Sequence, residues 1–540
     1  MFKPILPPYD LAEWQSKPFG ERMAMSCRSW AMQGYGTPLA IYLLYLLKIG
    51  FYIGVWWFFC TLSTEGPITD WWSTKVAFQK AILWTMMFEV MGFGCGSGPL
   101  TGRYIPPVGG FLYFLRPGTT KLPLYPGIPV LGGQTRTWLD VVLYAALLVA
   151  GFSALVSSVI QPWQLFPFLI LLPILGLADK TIFLAARSEH YLSVVICLLF
   201  ADWIAGSKFV WMAIWWWAAT SKLNHHFPAV MCVMTSNSPL QRFPAIKKRF
   251  YRNYPDDLRP SKLAEVYTHS GTALEYLFPL VLLMSGGGSV TQVALFVMVV
   301  FHLFIMSNVP MGVPLEWNVV MIYGGLLLFG QHAEVGILTI AAPLLITWLI
   351  AFHMLLPLYG SVYPSRVSFL LSMRYYAGNW AYSIWLFKGH SVEKLDRVTK
   401  WAPHVPTQLR SFYDEETITA LLSMLPAFRM MHLHGRCLHD LLPKAVDDLD
   451  DYEWVDGEIL AGLVLGWNFG DGHLHDSQLL EAIQAKCAFV PGELRCIQVE
   501  SQPLFGKTHA WRIVDAADGE LESGEIAIAG LRERQPWPTP

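Results

Sequence analysis

The sequence predicts a polytopic, all-α membrane protein of about ten transmembrane helices that carries a small α/β domain at its C-terminal end. Two observations predict it. Charged residues make up 14% of the 540 residues, against roughly 25% in soluble proteins. The deficit is concentrated between Thr37 and Pro357, where apolar runs recur at about the 20-residue length that spans a hydrocarbon core. These features divide the chain into an N-terminal segment (1–36), a transmembrane helical domain (37–358), a helical linker (359–445) and a soluble α/β domain (446–540).

The opening, MFKPILPPYDLAEWQSKPFGERMAM, has prolines and acids where a signal peptide has an apolar run, so the first apolar helix is expected to be its own insertion signal. The expected spans are Thr37 to Cys60, Lys75 to Cys95, Trp138 to Ile160 and Leu165 to Ala185. They continue with His190 to Ala205 and Phe209 to Ser221, two short segments joined by a Gly206-Ser207-Lys208 break. Ala264 to Met284, Ser289 to Asn308, Trp317 to Phe329 and Val335 to Leu356 complete the set. Short loops rich in Lys and Arg stay in the cytoplasm. Residues 1–37 contain Lys3, Lys17, Arg22 and Arg28, residues 97–137 contain Arg103, Arg116, Lys121 and Arg136, and residues 222–263 contain eight basic residues. The stretches 61–74, 161–164, 285–289 and 331–336 contain none, which leaves Lys208 as the exception. Both termini are thus expected in the cytoplasm of a bacterial inner membrane. A single crossing by His190 to Ser221 would instead invert one half of the chain.

The net charge of −2 gives no reason to expect a nucleic acid; the expected partners are the bilayer and a lipophilic small molecule. The eight cysteines are scattered singly, with no CxxC pair, which suggests neither a zinc cluster nor a disulfide framework. Ionisable side chains at membrane depth cost several kcal/mol unless paired or hydrated. Here they are Lys48, Glu89, Lys180, Glu265, His269, Glu275, His302, Glu316 and His353. Glu275, in GTALEYLFPL, has no basic residue within one turn, so its partner must come from another helix. Glu265 and His269 are four apart and share a helix face, which fits a structural pair. No HxxxH or HxxHH box of a membrane di-iron enzyme occurs.

LPPYDLAEW, LRPGTTKLP, DKTIFLAAR, SKLNHHFP, PLEWNVV and NFGDGHLHD resemble, end to end, a bacterial family known as domain of unknown function family 3556, a label that carries no activity. More distantly, EHYL (Glu189 to Leu192), AATSKLNHHF (Ala218 to Phe227), Glu275 with Phe278-Pro279, and Phe301-His302 resemble the horizontally transferred transmembrane domain of vitamin K-dependent gamma-carboxylase. That resemblance implies His190 as the family histidine, Lys222 as the base acting on a reduced quinone, and a quinone as cofactor or substrate. The glutamate-peptide-binding region of that family has no counterpart here, so carboxylation of protein glutamates is not implied. Desolvation at a helix end would suit a lysine to act as a base, and Trp215, Trp216 and Trp217 behind it offer flat apolar walls for a ring. The bland alternative makes these tryptophans an interfacial belt with Lys222 snorkelling beside them.

After residue 371 the composition turns polar. Val392 to Lys400 and Glu415 to Leu442 read as helices, the second broken near Pro426. LAGLVLGWNF reads as a strand, DSQLLEAIQAKC as a helix, and ELRCIQVES and HAWRIVDA as strands, the last ended by Asp518-Gly519. His432, His434 and His439, with Asp471, His473, His475 and Asp476, have metal-ligand character, but fit turns and a helix cap equally well, so no metal is expected. The resulting expectation is a membrane enzyme with Lys222 as general base and His190 as its partner, binding a hydroquinone-type substrate through Trp215 to Trp217, Glu275, His302 and Glu316. The rivals are a lipid or small-molecule carrier that uses Glu275, His302 and Glu316 as a polar pathway, and a non-catalytic scaffold that presents the α/β domain.

Overall fold

Leu39–Thr61 shows what a lipid-facing helix looks like in this chain. Only Tyr45, Tyr52, Phe59 and Cys60 of its 23 residues are buried, while Leu46, Leu47, Phe51 and Phe58 are exposed, a pattern that only an apolar solvent rewards. The computed structural model describes residues 1–94, 97–308, 315–367, 379–467 and 477–539 and is mostly helical. Among these residues four helices are long and apolar enough to cross a membrane: Leu39–Thr61, Trp138–Val156, Gly288–Met306 and Pro343–Val362.

The expected ten is therefore corrected to four by length and composition. Most of the other apolar runs fold into helices that are short or enclosed by protein; Lys262–Met284 is neither, with 23 residues of which seven are buried. Lys75–Val90 has 16 residues, and every one from Ala77 onward is buried; Pro162–Ala178 has 17 and Ser188–Cys197 has 10. In Lys75–Val90 and Ser188–Cys197 the apolarity serves packing against other helices, which hydropathy alone does not distinguish from contact with lipid; Pro162–Ala178 still exposes Trp163, Phe166 and Ile170. The break between the two short segments also moves. Trp203–Ser221 runs unbroken through Gly206, and the interruption lies between Cys197 and Trp203. Gly206 is there for contact, since a Cβ on it would stand 2.8 Å from Cys197 Sγ.

Close approach of this kind recurs at Gly324, where a Cβ would lie 2.2 Å from Cζ2 of Trp211, a ring that donates to the Met321 carbonyl. Gly324→Ala is expected to destabilise the protein by about 1–3 kcal/mol through overpacking. Gly271→Ala, with nothing within 4 Å, serves as the control. Equal melting temperatures for the two variants would refute this account.

The soluble layer is built from distant parts of the chain. A five-stranded antiparallel sheet has the order β4-β3-β5-β6-β7, with β3 Tyr382–Lys388, β4 Tyr452–Asp456, β5 Leu494–Val499, β6 Thr508–Asp515 and β7 Gly519–Ala527; β1 Tyr251–Asn253 and β2 Asp257–Pro260 form a separate hairpin. The expected strands ELRCIQVES and HAWRIVDA are β5 and β6. Strand β3 lies between β4 and β5, so the sheet draws a buried strand from the region read as helical linker. The part of LAGLVLGWNF within the described residues is not a strand: Leu460 to Leu465 belong to helix Gly457–Leu465, which Asp456 caps by accepting from the Glu458 N–H and Gly466 ends in the left-handed conformation, signals that outweigh an apolar run.

Met23, Cys27 and Trp30 of helix Phe19–Gln33 share one core with Cys232, Val233, Tyr382, Met430 and Ile497, which places the N-terminal segment in the same layer. Loop 97–137 joins it too: Arg103 donates to the Gly462 carbonyl and Lys486 to Gly118. Three of this loop's four basic residues are buried. Arg103 meets carbonyls of Gly462 and Val108, Lys121 pairs with Asp140 at 2.6 Å, and Arg136 pairs with Asp179. The opposite end of the bundle is tied by Ser63 to the Ser157 carbonyl, by Lys208 to the carbonyls of His332 and Val335, and by the Ala341 N–H to Asp202.

Candidate functional site

Helix Trp203–Ser221 ends on Lys222, and Glu275 lies within Lys262–Met284. The two helices pack together, and the Lys222 ammonium meets the Glu275 carboxylate in a buried ion pair. The rings of Phe301 and Phe227 lie 5.5 and 5.6 Å from Lys222 Nζ, so two aromatic faces and a carboxylate surround the nitrogen with negative potential. This settles where the partner of Glu275 comes from. Two turns further into the same wall, Trp215 Nε1 donates to His302 Nε2 at 3.0 Å, and His302 Nδ1 lies 2.8 Å from Asn318 Oδ1. Because the indole only donates, Nε2 is the acceptor and the imidazole carries its proton on Nδ1. Both ring nitrogens are thus engaged within the wall.

Trp215, Lys222, Glu275, Phe301, His302 and Met321 line one cavity of about 1280 Å³, larger than the roughly 300–1,000 Å³ typical of small-molecule sites. The cavity continues into the soluble layer, where Trp30, Trp380, Phe428 and Asp456 line it. Asp456 there is held by Arg429 through Nε at 2.5 Å and Nη2 at 2.9 Å.

The remaining expected site residues lie elsewhere. His190 is buried behind Trp317, whose ring centroid is 4.9 Å away; Trp317 lines the cavity and His190 does not. Glu316 is also off the cavity wall: a Cβ on Gly94 would stand 2.7 Å from its Oε1 and 3.5 Å from Glu89 Cγ. Glu89 accepts from Arg187 Nε at 2.7 Å on both oxygens, and the Arg187 guanidinium lies 5.0 Å from the Trp317 ring. His190, Glu316, Glu89 and Arg187 therefore form a second polar cluster on the far side of Trp317. Successive helical residues point about 100° apart, so three consecutive tryptophans cannot form one wall. Trp215 faces the cavity, Trp216 is 40% exposed against Tyr276, and Trp217 donates to the His353 carbonyl at 2.7 Å.

Arg187, Trp317 and Asn318 were missed from the sequence. The signal for Arg187 was an intramembrane acid, Glu89, that required a cation. Glu265 is met by Arg532 at 3.7 Å. His432 and His434 are buried in the soluble layer. Among the described residues no group of three or more His, Cys, Asp or Glu is arranged to hold a metal; Asp471, His473, His475 and Asp476 lie outside the described residues.

No curated protein and no solved structure matches the chain. Several apolar helices and a match over residues 1–540 to a family described as transmembrane protein of unknown function (DUF3556) make this a multi-pass membrane protein, and over its whole length it belongs to that family.

Proposed function

We propose that the chain binds a lipophilic molecule with a hydroxyl-bearing head, of hydroquinone type, in the large cavity, and that the Lys222–Glu275 pair exchanges a proton with that head. The observation that carries this reading is the pair itself, a lysine and a carboxylate joined in the wall of an otherwise apolar chamber. A lysine serves as a base only as the free amine. The paired Glu275 offers a place for the lysine's own proton, and a neutral amine–acid pair avoids the cost of holding two charges in a medium of low dielectric constant. The substrate hydroxyl would then give its proton to Lys222 Nζ. His190 has no direct part in this scheme because Trp317 stands between it and the cavity; its role is to seat Trp317. The likeness to the gamma-carboxylase domain agrees with a lysine in this role.

The carrier reading has one observation of its own, the continuity of the cavity from membrane depth to Trp380 and Asp456 in the soluble layer. Lys222→Arg separates the two readings, because it keeps the cation and cannot lose its proton. With decylubiquinol as probe and full-length protein in nanodiscs, the expected result is binding within about threefold of wild type. Probe-dependent turnover is expected to fall by about 10²–10⁴, the usual share of general acid–base catalysis. Unchanged turnover in Lys222→Arg would rule out lysine-base chemistry, and no probe binding by the wild type would rule out the site.

The fold also bears on topology. Residues 1–38, loop 97–137, loop 222–263 and the C-terminal sheet pack into one layer, while residues 61–74, 157–164 and 331–342 gather at the opposite end. We read this as further crossings beside the four apolar spans, by the enclosed helix Lys75–Val90 and by Lys262–Met284, which exposes Val266, Leu277 and Met284. The soluble layer, rich in basic residues, is assigned to the cytoplasmic side of a bacterial plasma membrane.

A further inference from the structure

We infer that the cavity is loaded sideways from the bilayer, through a portal between helices Leu39–Thr61 and Gly288–Met306, and that its occupant is a lipid of the leaflet adjoining the soluble layer. The inference rests on the proposed binding site and adds its route of entry and its ligand class. Leu47 and Phe296 are 71% and 69% exposed. Each lies in the outward apolar stripe of its helix, the first with Leu43 and Leu46, the second with Val293 and Val300. Leu43, Leu47, Phe296 and Val300 nonetheless also line the cavity. A residue that belongs to both the outer surface and the cavity wall marks a mouth. This mouth faces outward from two helices whose exposed surface is otherwise apolar, so what lies in front of it is lipid tails rather than water.

Depth fixes the leaflet. Leu39 begins its helix at the soluble layer, where the Ala40 N–H donates to the Met1 carbonyl. Met306 ends the other helix at the same layer, since the following Ser307 carbonyl accepts from Ser238. Leu47 is eight residues in from Leu39 and Phe296 ten from Met306, so at ~1.5 Å per residue the mouth reaches roughly 12–15 Å. That is about half of a hydrocarbon core ~30 Å thick, the depth of one leaflet. A lipid entering there keeps its native orientation, with its chain against Trp215 and Met321 and its head level with Lys222–Glu275, Phe301 and the soluble layer. By the same criterion Met1, Phe2 and Phe412 extend the mouth to the rim of the soluble layer, so a lipid can keep its head at that rim while its chain reaches the portal by lateral diffusion.

The test uses full-length protein in proteoliposomes containing a phosphatidylcholine with a diazirine near the end of one acyl chain, photolysed and mapped by peptide mass spectrometry. Adducts are expected on Trp215 or Met321 inside the cavity as well as on the outward Leu46 and Phe58. In Leu47→Trp/Val300→Trp the inner adducts should fall at least fivefold while the outward ones persist, which also reports that the variant is folded. Adducts confined to outward residues in the wild type, or inner adducts unchanged in the double variant, would overturn the portal. Decylubiquinol binding without inner photolipid adducts would overturn the portal alone and leave the proposed site standing.

Discussion

Glu275→Leu is expected to lower the stability of the purified protein by about 3–5 kcal/mol, and adding Lys222→Met is expected to restore most of that loss. The asymmetry follows from burial. Both side chains are almost entirely out of water, at 9% and 4% exposure, so removing the carboxylate strands an ammonium between two phenyl rings in a medium that cannot solvate it. Removing both charges leaves an apolar wall of similar volume, and such replacements of buried pairs are often neutral. Decylubiquinol binding should be lost in the single and in the double variant, because neither keeps the Lys222–Glu275 pair proposed to hold the head. Thermal melts in one detergent, with the four proteins of the double-mutant cycle, give the coupling energy directly. Additive losses would show that the pair contributes nothing as a pair.

How far the sequence carried the site can be judged at this same pair. That Glu275 needed a cation from another helix was legible, because the cost of a lone acid at membrane depth is large. Which cation was not, since Lys222 lies 53 positions away and local spacing is silent over that distance. The three tryptophans erred in the other direction, for helical geometry alone forbids them a common wall. Arg187 escaped notice because it lies two residues past the expected span Leu165 to Ala185, yet Glu89 already demanded it.

The fold shows the same division. Antiparallel strands β5 and β6 follow from apolar runs bounded by turn residues, and the Asp456 cap with Gly466 could have overruled the strand reading of Gly457–Leu465. Strand β3, YSIWLFK, is a short run buried on both faces, a case in which periodicity does not separate strand from helix. Hydropathy recognised apolar helices in most of the expected places but not which of them face lipid, because enclosed helices such as Lys75–Val90 have the same composition for a different reason.

Acid should loosen the soluble layer. His432, His434 and His509 form a buried run with ring centroids 6.1 and 5.5 Å apart, next to Trp380. Burial holds His434 well below its ordinary value near 6.5, with the rings of His509 and His432 adding to the effect. Burial likewise lowers His432 and His509 to about 4, although the Phe428 and Glu500 carbonyls they meet work in the opposite direction. The other charged groups facing them are Arg429, Arg436, Asp456 and Glu500. In the unfolded chain these histidines take up protons near pH 6.5; in the folded chain His432 and His509 do so only near 4 and His434 only well below its ordinary value, so below pH 6.5 the unfolded state holds more protons. Stability is therefore fully present above about pH 7 and is lost as the pH falls from about 6.5 towards 4. One such group contributes roughly 3 kcal/mol at about 1.4 kcal/mol per unit, and the three do not simply add because they interact. Thermal melts at pH 7.5, 6.0, 5.0 and 4.5 should show a flat upper limb and a steep fall below pH 6.5. His434→Leu should flatten that fall by removing the most strongly held imidazole without leaving a charge behind. A wild-type melting temperature equal at pH 7.5 and 5.0, or an unchanged slope in His434→Leu, would show that these histidines do not control the acid limb.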